Sequence, residues 1–368
     1  MQCDFTLEPE AGFPIIKITF PDYKSYSFIV DTGAPGSTID RSFAKQLGTI
    51  VETYNSENPK QVFEYIKPDL KLKPEYPNFG LPLILSDMSS MRSEYPELVG
   101  ILGLNFLETF KLRINYSSHK IDLITVDKLN GSEFEPKLSV AFNIKKNIDN
   151  HYVIYAKVAE KDVEFIIDTG TGNTFIDQPD IIKMIKNRPF LSGFQSGIYS
   201  PSKNGIVAVP TKYIRLESIK LPGISWISPV IHTTKTNERK ISAGLGNDFF
   251  KRYSILLDFS DKKMYLTNDS KYVEDPTEWI GIGVKMEYQN GKLTVTTVMS
   301  PSPADKAGIE VGDQILSIDG RNISDISGSV LTQLLHSLKK VDREVILKVS
   351  SEKKHEDYTV KLKVKQLL

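Results

Sequence analysis

The residues best suited to chemistry in this chain are two aspartates, Asp31 and Asp168, each opening an Asp-Thr-Gly tripeptide. Residues 28–40 read FIVDTGAPGSTID and residues 165–177 read FIIDTGTGNTFID. At an offset of 137 they agree at seven of thirteen positions: Phe, Ile, Asp, Thr, Gly, Ile and Asp. A carboxylate at the end of an apolar strand, followed by a glycine turn and written twice, points to two carboxylates brought face to face. One ionised carboxylate can take a proton from water while a second, protonated one donates to a carbonyl oxygen. Two carboxylates about 3 Å apart cannot both ionise, so they share one proton and titrate as a pair. Gly33 and Gly170 let backbone amides approach and hold the carboxylates, and Thr32 and Thr169 can hydrogen-bond inward and tie the two loops together. One such tripeptide is ordinary turn material, expected by chance in about one chain in ten of this length. The matched apolar flanks make the two copies one duplicated feature.

The elements that position these loops repeat as well. Residues 103–123, GLNFLETFKLRINYSSHKIDL, align without gaps to residues 246–266, GNDFFKRYSILLDFSDKKMYL, at an offset of 143. This predicts one unit over about 5–127 and a second over about 138–268, joined by the polar linker DKLNGSEFEPK. The runs FPIIKITF, YSFIVDTG, HYVIYAKVAE and VEFIIDTG are rich in β-branched and aromatic residues and read as strands. Turns are expected at Pro21-Asp22 and at Glu160-Lys161-Asp162. Short helices are expected at 40–47 and 179–187, the second with proline at its start. The last ninety or so residues do not match the repeat. They read as a separate α+β module with strands at GIGVKMEY, KLTVTTVM, EVILKVS and YTVKLKV. Its helix is expected over about 327–340, with Leu331, Leu334, Leu335 and Leu338 on one face. The predicted division is 1–130, 131–270 and 271–368.

Bulk composition narrows the classes. Lys+Arg and Asp+Glu number 46 each among 368 residues, so nothing favours nucleic acid or an anionic membrane surface. No apolar stretch is long enough to span a bilayer as a helix. The single cysteine, Cys3, rules out an internal disulfide. His119, His151, His232, His336 and His355 fall in no metal-binding spacing, so no metal or other cofactor is expected. The opening MQCDFTLEPE lacks the basic and apolar regions of a secretory signal. The compartment stays open: cytoplasmic as the sequence stands, or periplasmic or cell-envelope if a signal was removed.

With those residues in view, each of the first two units resembles one lobe of an aspartic protease of the pepsin or retropepsin type. Such lobes carry a second signature, two apolar residues and a glycine, that packs across the catalytic loop. Ile101-Leu102-Gly103 supplies it in the first unit, and Ala243-Gly244-Leu245-Gly246 in the second. Gly244 stands where a bulky apolar residue is more usual. The resemblance covers about 5–268. It implies a mainly β, bilobal fold of two barrel-like lobes with Asp31 and Asp168 as the catalytic pair. Thr32, Gly33, Thr169 and Gly170 would support the loops. It also implies a covering hairpin in each lobe, with Tyr65 in QVFEYIKPDL and Tyr199 in GIYSPSKNGIVAV as candidate covering aromatics. The function this predicts is an aspartic endopeptidase acting on protein or peptide substrates, with no dimer needed to assemble the pair. The rival is an inactive peptide-binding protein on a protease scaffold.

GIGV at 281–284 and SPADKAGIEVGDQILSIDG at 302–320 resemble a PDZ domain of the bacterial protease-associated kind. The resemblance implies that the backbone amides of Gly281, Ile282 and Gly283 hold a peptide C-terminus while the peptide adds as a strand beside the 327–340 helix.

Overall fold

The computed structural model describes residues 2–7, 12–20, 24–45, 47, 50–54, 62–71, 79–95, 97–125, 139–200, 205–234, 242–268, 279–289, 292–325, 331, 334–335, 337–351 and 353–368. The chain is mainly β, with helices of four to six residues among the described elements. The linker expected at 127–137, the turn at Pro21-Asp22 and half of the 327–340 helix lie outside the described residues.

The duplication seen in sequence reappears as strand order. In the first half, strands Pro14–Thr19, Ser25–Val30, Leu98–Leu102, Thr38–Asp40, Leu83–Ser86, Val62–Ile66 and Val51–Tyr54 lie side by side in that order. In the second half, Tyr152–Val158, Lys161–Ile167, Ala243–Leu245, Phe175–Ile176, Val230–Thr234, Gly205–Arg215 and Phe190–Ser200 repeat it. In both, the strand that leads into Asp-Thr-Gly runs parallel to the strand ending at the second signature, with Val30 opposite Leu102 and Ile167 opposite Leu245.

A third sheet joins the halves. Its order is Gln2–Asp4, Lys120–Thr125, Phe110–Asn115, Tyr253–Asp258, Lys263–Asn268, Ser139–Asn143, three strands from each half. At its centre Phe110–Asn115 pairs antiparallel with Tyr253–Asp258, Ile114 facing Ile255. These are the two stretches that align at an offset of 143, so the repeat is also the seam. One continuous apolar core, from Phe5 to Leu266, fills both halves.

The turn expected at 160–162 is one residue earlier and tighter. Val158 faces Lys161, and Ala159 and Glu160 alone turn the chain, both at positive φ (48° and 67°). Two positive-φ residues give the turn whose twist matches antiparallel strands, which puts Lys161 and Asp162 in the ladder.

The C-terminal region has its own core, from Ile282 to Val364, including Leu331, Leu334 and Leu338. Its main sheet runs Val284–Gln289, Lys292–Val298, Gln314–Ile318, Glu344–Ser351, Glu356–Lys363. The helical turn Pro303–Lys306 begins at Ser302, whose hydroxyl accepts from the Asp305 amide, with proline in the first turn. This region rests on the long hairpin of the second half. Ser192 and Ser300 exchange backbone hydrogen bonds of 2.6 and 2.8 Å. The Tyr213 and Trp279 rings lie 5.5 Å apart, and Arg215 Nη2 donates to the Leu368 carbonyl at 3.2 Å.

Candidate functional site

Asp31 and Asp168 each follow the last residue of an apolar strand, where the next amide is fixed by the neighbouring strand. The Asp31 amide donates to Leu102 O at 3.0 Å and the Asp168 amide to Leu245 O at 3.1 Å. Each loop then turns back on its own carboxylate. Gly33 N donates to Asp31 Oδ1 at 2.7 Å, and Gly170 N to Asp168 Oδ1 at 3.0 Å.

The two loops interlock through their threonines, both buried. Thr32 Oγ1 donates to Ile167 O at 2.7 Å, and Thr169 Oγ1 to Val30 O at 2.8 Å. Each hydroxyl also accepts the other threonine's amide, at 3.1 Å in both directions. Four buried hydrogen bonds thus cross between the halves, and each leaves a costly unpaired group if broken.

The glycines are required by the approach. A methyl group on Gly33 would stand 2.5 Å from Asp168 Cγ, and one on Gly170 would stand 2.2 Å from Asp31 Cγ. Each glycine therefore faces the carboxylate of the other half. The side chains of Asp31 and Asp168 hydrogen-bond to each other. Burial pushes Asp31 up to about 6, against the backbone amides of Gly33, Ala34 and Gly170 and the Asp168 bond, which favour its ionised form. Asp31 keeps partial exposure, so solvent reaches the pair.

The second signature packs as expected. A methyl on Gly103 would lie 2.6 Å from Ala34 O, and one on Gly246 would lie 2.7 Å from the Asn173 carbonyl carbon. Ser37 Oγ accepts from Gly103 N at 2.9 Å and donates to Asn105 Oδ1 at 2.7 Å. In the second half Thr174 Oγ1 accepts from Gly246 N at 3.1 Å and donates to Asp248 Oδ1 at 2.8 Å. The unusual Gly244 also has a reason: a methyl there would meet the Phe175 ring at 2.5 Å, so the aromatic fills the space.

Several residues at the site carry no motif. Asn247 Nδ2 donates to Thr169 O and Thr171 O at 2.8 and 2.9 Å, and its Oδ1 receives the buried Tyr116 hydroxyl from the first half. Burial raises the Tyr116 pKa. Asp248 is buried and pushed up to about 6 by that burial. His151, in the second half, is buried beside the Gly33 backbone of the first. Burial lowers its pKa, opposed by nearby Asp149 and by the Gly33 backbone. The only sequence signal for these contacts is the offset itself, which sets Asp248 opposite Asn105. Among the described residues no group of three or more His, Cys, Asp or Glu is placed to hold a metal ion.

The two candidate covering aromatics both lie on strands. Tyr65 is partly buried in Val62–Ile66, with Val51 and Ile84 as its strand neighbours. Tyr199 sits in Phe190–Ser200, opposite Ile206, in a hairpin that brings Ser200 opposite Gly205. Residues 201–204 of the expected covering hairpin lie outside the described residues.

In the C-terminal region, Gly281 pairs with Lys365, Ile282 O accepts from Ala304 N at 2.9 Å, and Gly283 O accepts from Met299 N at 2.8 Å. Gly283 has φ +87°, and a methyl there would meet Ser302 Cβ at 2.2 Å, so the loop requires glycine. The following strand, Val284–Gln289, is an edge of the sheet among the described strands.

Residues 280–362 match the PDZ domain family, so the C-terminal region is a PDZ domain. The chain is 31% identical over 99 residues to a probable CtpA-like serine protease of Staphylococcus aureus (strain N315), covering 24% of this chain and 20% of the relative. A probable CtpA-like serine protease of Staphylococcus haemolyticus (strain JCSC1435) is 29% identical over 94 residues, covering 22% and 19%. A photosystem II D1 C-terminal processing protease overlays with a TM-score of 0.22 and 23% identity, over 26% of this chain and 25% of that one. The chain thus spans about a fifth of the length of the curated relatives it matches.

These relatives correct the function expected from the motifs. They are named serine proteases, so the aspartic endopeptidase, with its pepsin-like and retropepsin-like description, is not sustained as the assignment. The geometry gives the motif a structural role of its own: Asp-Thr-Gly is the piece that fastens the halves. Its threonines carry the crossing hydrogen bonds and its glycines admit the opposite loop, so packing alone asks for both copies.

Proposed function

We propose that this chain is a peptide-handling hydrolase of the protease class, in which the PDZ domain binds the C-terminal end of a polypeptide. The observation that carries this reading is the edge strand Val284–Gln289 beginning directly after the Gly281-Ile282-Gly283 loop, inside a matched PDZ domain. An extended peptide adding to that edge gains main-chain hydrogen bonds, and its terminal carboxylate meets the loop amides. The protease names of the relatives support the hydrolase class.

Asp31 and Asp168 are part of the proposal as the reactive pair, with Thr32, Gly33, Thr169 and Gly170 holding them. A carboxylate pair that holds one shared proton up to about pH 6 can both give and accept a proton at a bound polar group. The division at 1–130, 131–270 and 271–368 belongs to the same reading.

Binding is tested by fluorescence anisotropy with a labelled apolar peptide ending in a free carboxylate. We expect amidation of that end to weaken binding about tenfold, since it removes the charge the loop amides would meet. Equal affinity for both forms would sink the PDZ reading. The hydrolase is tested on an unfolded protein, with the full chain, Asp31→Asn and Asp168→Asn, each also after a serine-directed fluorophosphonate. We expect either substitution to lower turnover at least about 100-fold. Activity kept by both variants but lost to the reagent would assign the chemistry to a serine instead.

A further inference from the structure

The PDZ domain has a second concave feature at the opposite edge of its sheet. A cavity of about 390 Å³ lies between the helical turn Pro303–Lys306 and the C-terminal strands. Four lysines line it: Lys306 from the turn, and Lys361, Lys363 and Lys365 from the last strands. That volume is within the range that holds a small ligand or a few residues of peptide.

Lysines on an edge strand are a common guard against unwanted strand pairing. That accounts for Lys361 and Lys363, each paired with a carboxylate of the neighbouring segment: Glu344 at 2.7 Å and Asp342 at 2.8 Å. It does not account for Lys306, which stands across the cavity and is in no ion pair among the described residues. Lys365 adds a fourth charge beside Asp342, already paired with Lys363. Four ammonium groups around the cavity are therefore opposed by two carboxylates, neither of which lines it. The strand Glu356–Lys363 bonds Glu344–Ser351 on one side and ends the sheet on the other, among the described strands.

We propose that this cavity is a second peptide site, separate from the Val284–Gln289 edge, and that it takes an extended acidic segment of a polypeptide. Main-chain groups of the segment add to the free edge of Glu356–Lys363, and its carboxylates meet Lys306 and Lys365 across the cavity. The lining residues Pro301 and Leu367 adjoin Ser300 and Leu368, which anchor the domain to Ser192 and Arg215. An occupant would thus lie beside the joint between the PDZ domain and the long hairpin.

The test uses the full chain and a labelled eight-residue peptide of alternating Glu and Val, compared with its Gln-Val counterpart by anisotropy. We expect the Gln form to bind at least about tenfold more weakly, and salt to weaken the Glu form. Lys306→Glu with Lys365→Glu should weaken the Glu peptide about tenfold and leave an apolar C-terminal peptide unchanged. Lys306→Gln with Lys365→Gln repeats the test should charge reversal disturb folding. Equal binding of both peptides, or no effect of a folded double variant, would overturn the site. So would displacement of the Glu peptide by the apolar C-terminal peptide, which assigns it to the other edge. Displacement by inorganic phosphate at matching concentration would reduce the feature to a simple anion site and overturn peptide recognition.

Discussion

Asp248 and Asn105 occupy matching places in the two halves and accept matching bonds, from Thr174 and Ser37. One does so with a carboxylate that burial pushes up to about 6, the other with an amide that has no charge to bury. A carboxylate whose pKa is raised on folding stabilises the folded state fully below its unfolded value of 3.8, and that contribution is lost as pH rises through about 6. The shift corresponds to at most about 3 kcal/mol. Asp248→Asn should keep the Thr174 bonds and gain stability relative to the parent at pH 8 but not at pH 4. Urea unfolding at both values checks this, and a variant equally weakened at both would refute it. Asp31 is raised in the same direction by the same cause, so Asp31→Asn should likewise show its relative gain above pH 6. A melting temperature for that variant lower at pH 8 than at pH 4, relative to the parent, would contradict the burial argument.

At the scale of elements, the two loops are short pieces of chain held by strands that do not touch them in sequence. Thr169→Val removes the donor to Val30 O and the acceptor for the Thr32 amide while keeping the side chain's shape. Each buried group left unpaired costs about 1–3 kcal/mol, so a loss of about 2–4 kcal/mol is expected in denaturant unfolding. A change under about 0.5 kcal/mol would mean that water replaces both bonds. Much of this was legible beforehand, because apolar β-branched runs before Asp31 and Asp168 mark strands and Gly33 and Gly170 mark close approach. The contacts of His151, Asn247 and Tyr116 were not. His151 meets the Gly33 backbone and Asn247 meets Tyr116 across the two halves, and no local pattern encodes a partner more than a hundred residues away.

At the scale of the whole molecule, the PDZ domain and the β body meet, among the described residues, at the backbone bridge of Ser192 and Ser300, the Tyr213–Trp279 ring pair, Arg215 on Leu368, and the approach of Gly193 to Thr297 and Met299. A joint this small should open locally without unfolding either part. Trp279→Ala should speed hydrogen exchange at the Ser192 and Ser300 amides about tenfold and leave amides of the central sheet unchanged. Faster exchange throughout would show that the two cores, separate in their packing, unfold as one. The hairpin that receives the domain, Phe190–Ser200 with Gly205–Arg215, is the one from which the sequence predicts a covering flap. The joint therefore links the PDZ domain to the most extended element of the second half.

The duplication, the strands that carry Asp31 and Asp168, the need for glycine beside each, and the PDZ-like end are legible in the residues alone. These follow from local chemistry: side-chain shape sets strand preference, and only glycine admits a backbone at such short range. Tertiary structure alone decided that the repeat segments at 110–115 and 253–258 form the seam. It also decided that each glycine faces the opposite carboxylate, and that the threonines bond across the halves rather than within them. The physical reason is that a strand's neighbours are chosen by burial over the entire core, a sum no segment contains. Function belonged to neither alone: the paired motif invited one assignment, the relatives corrected it, and the same residues are accounted for first by what they hold together.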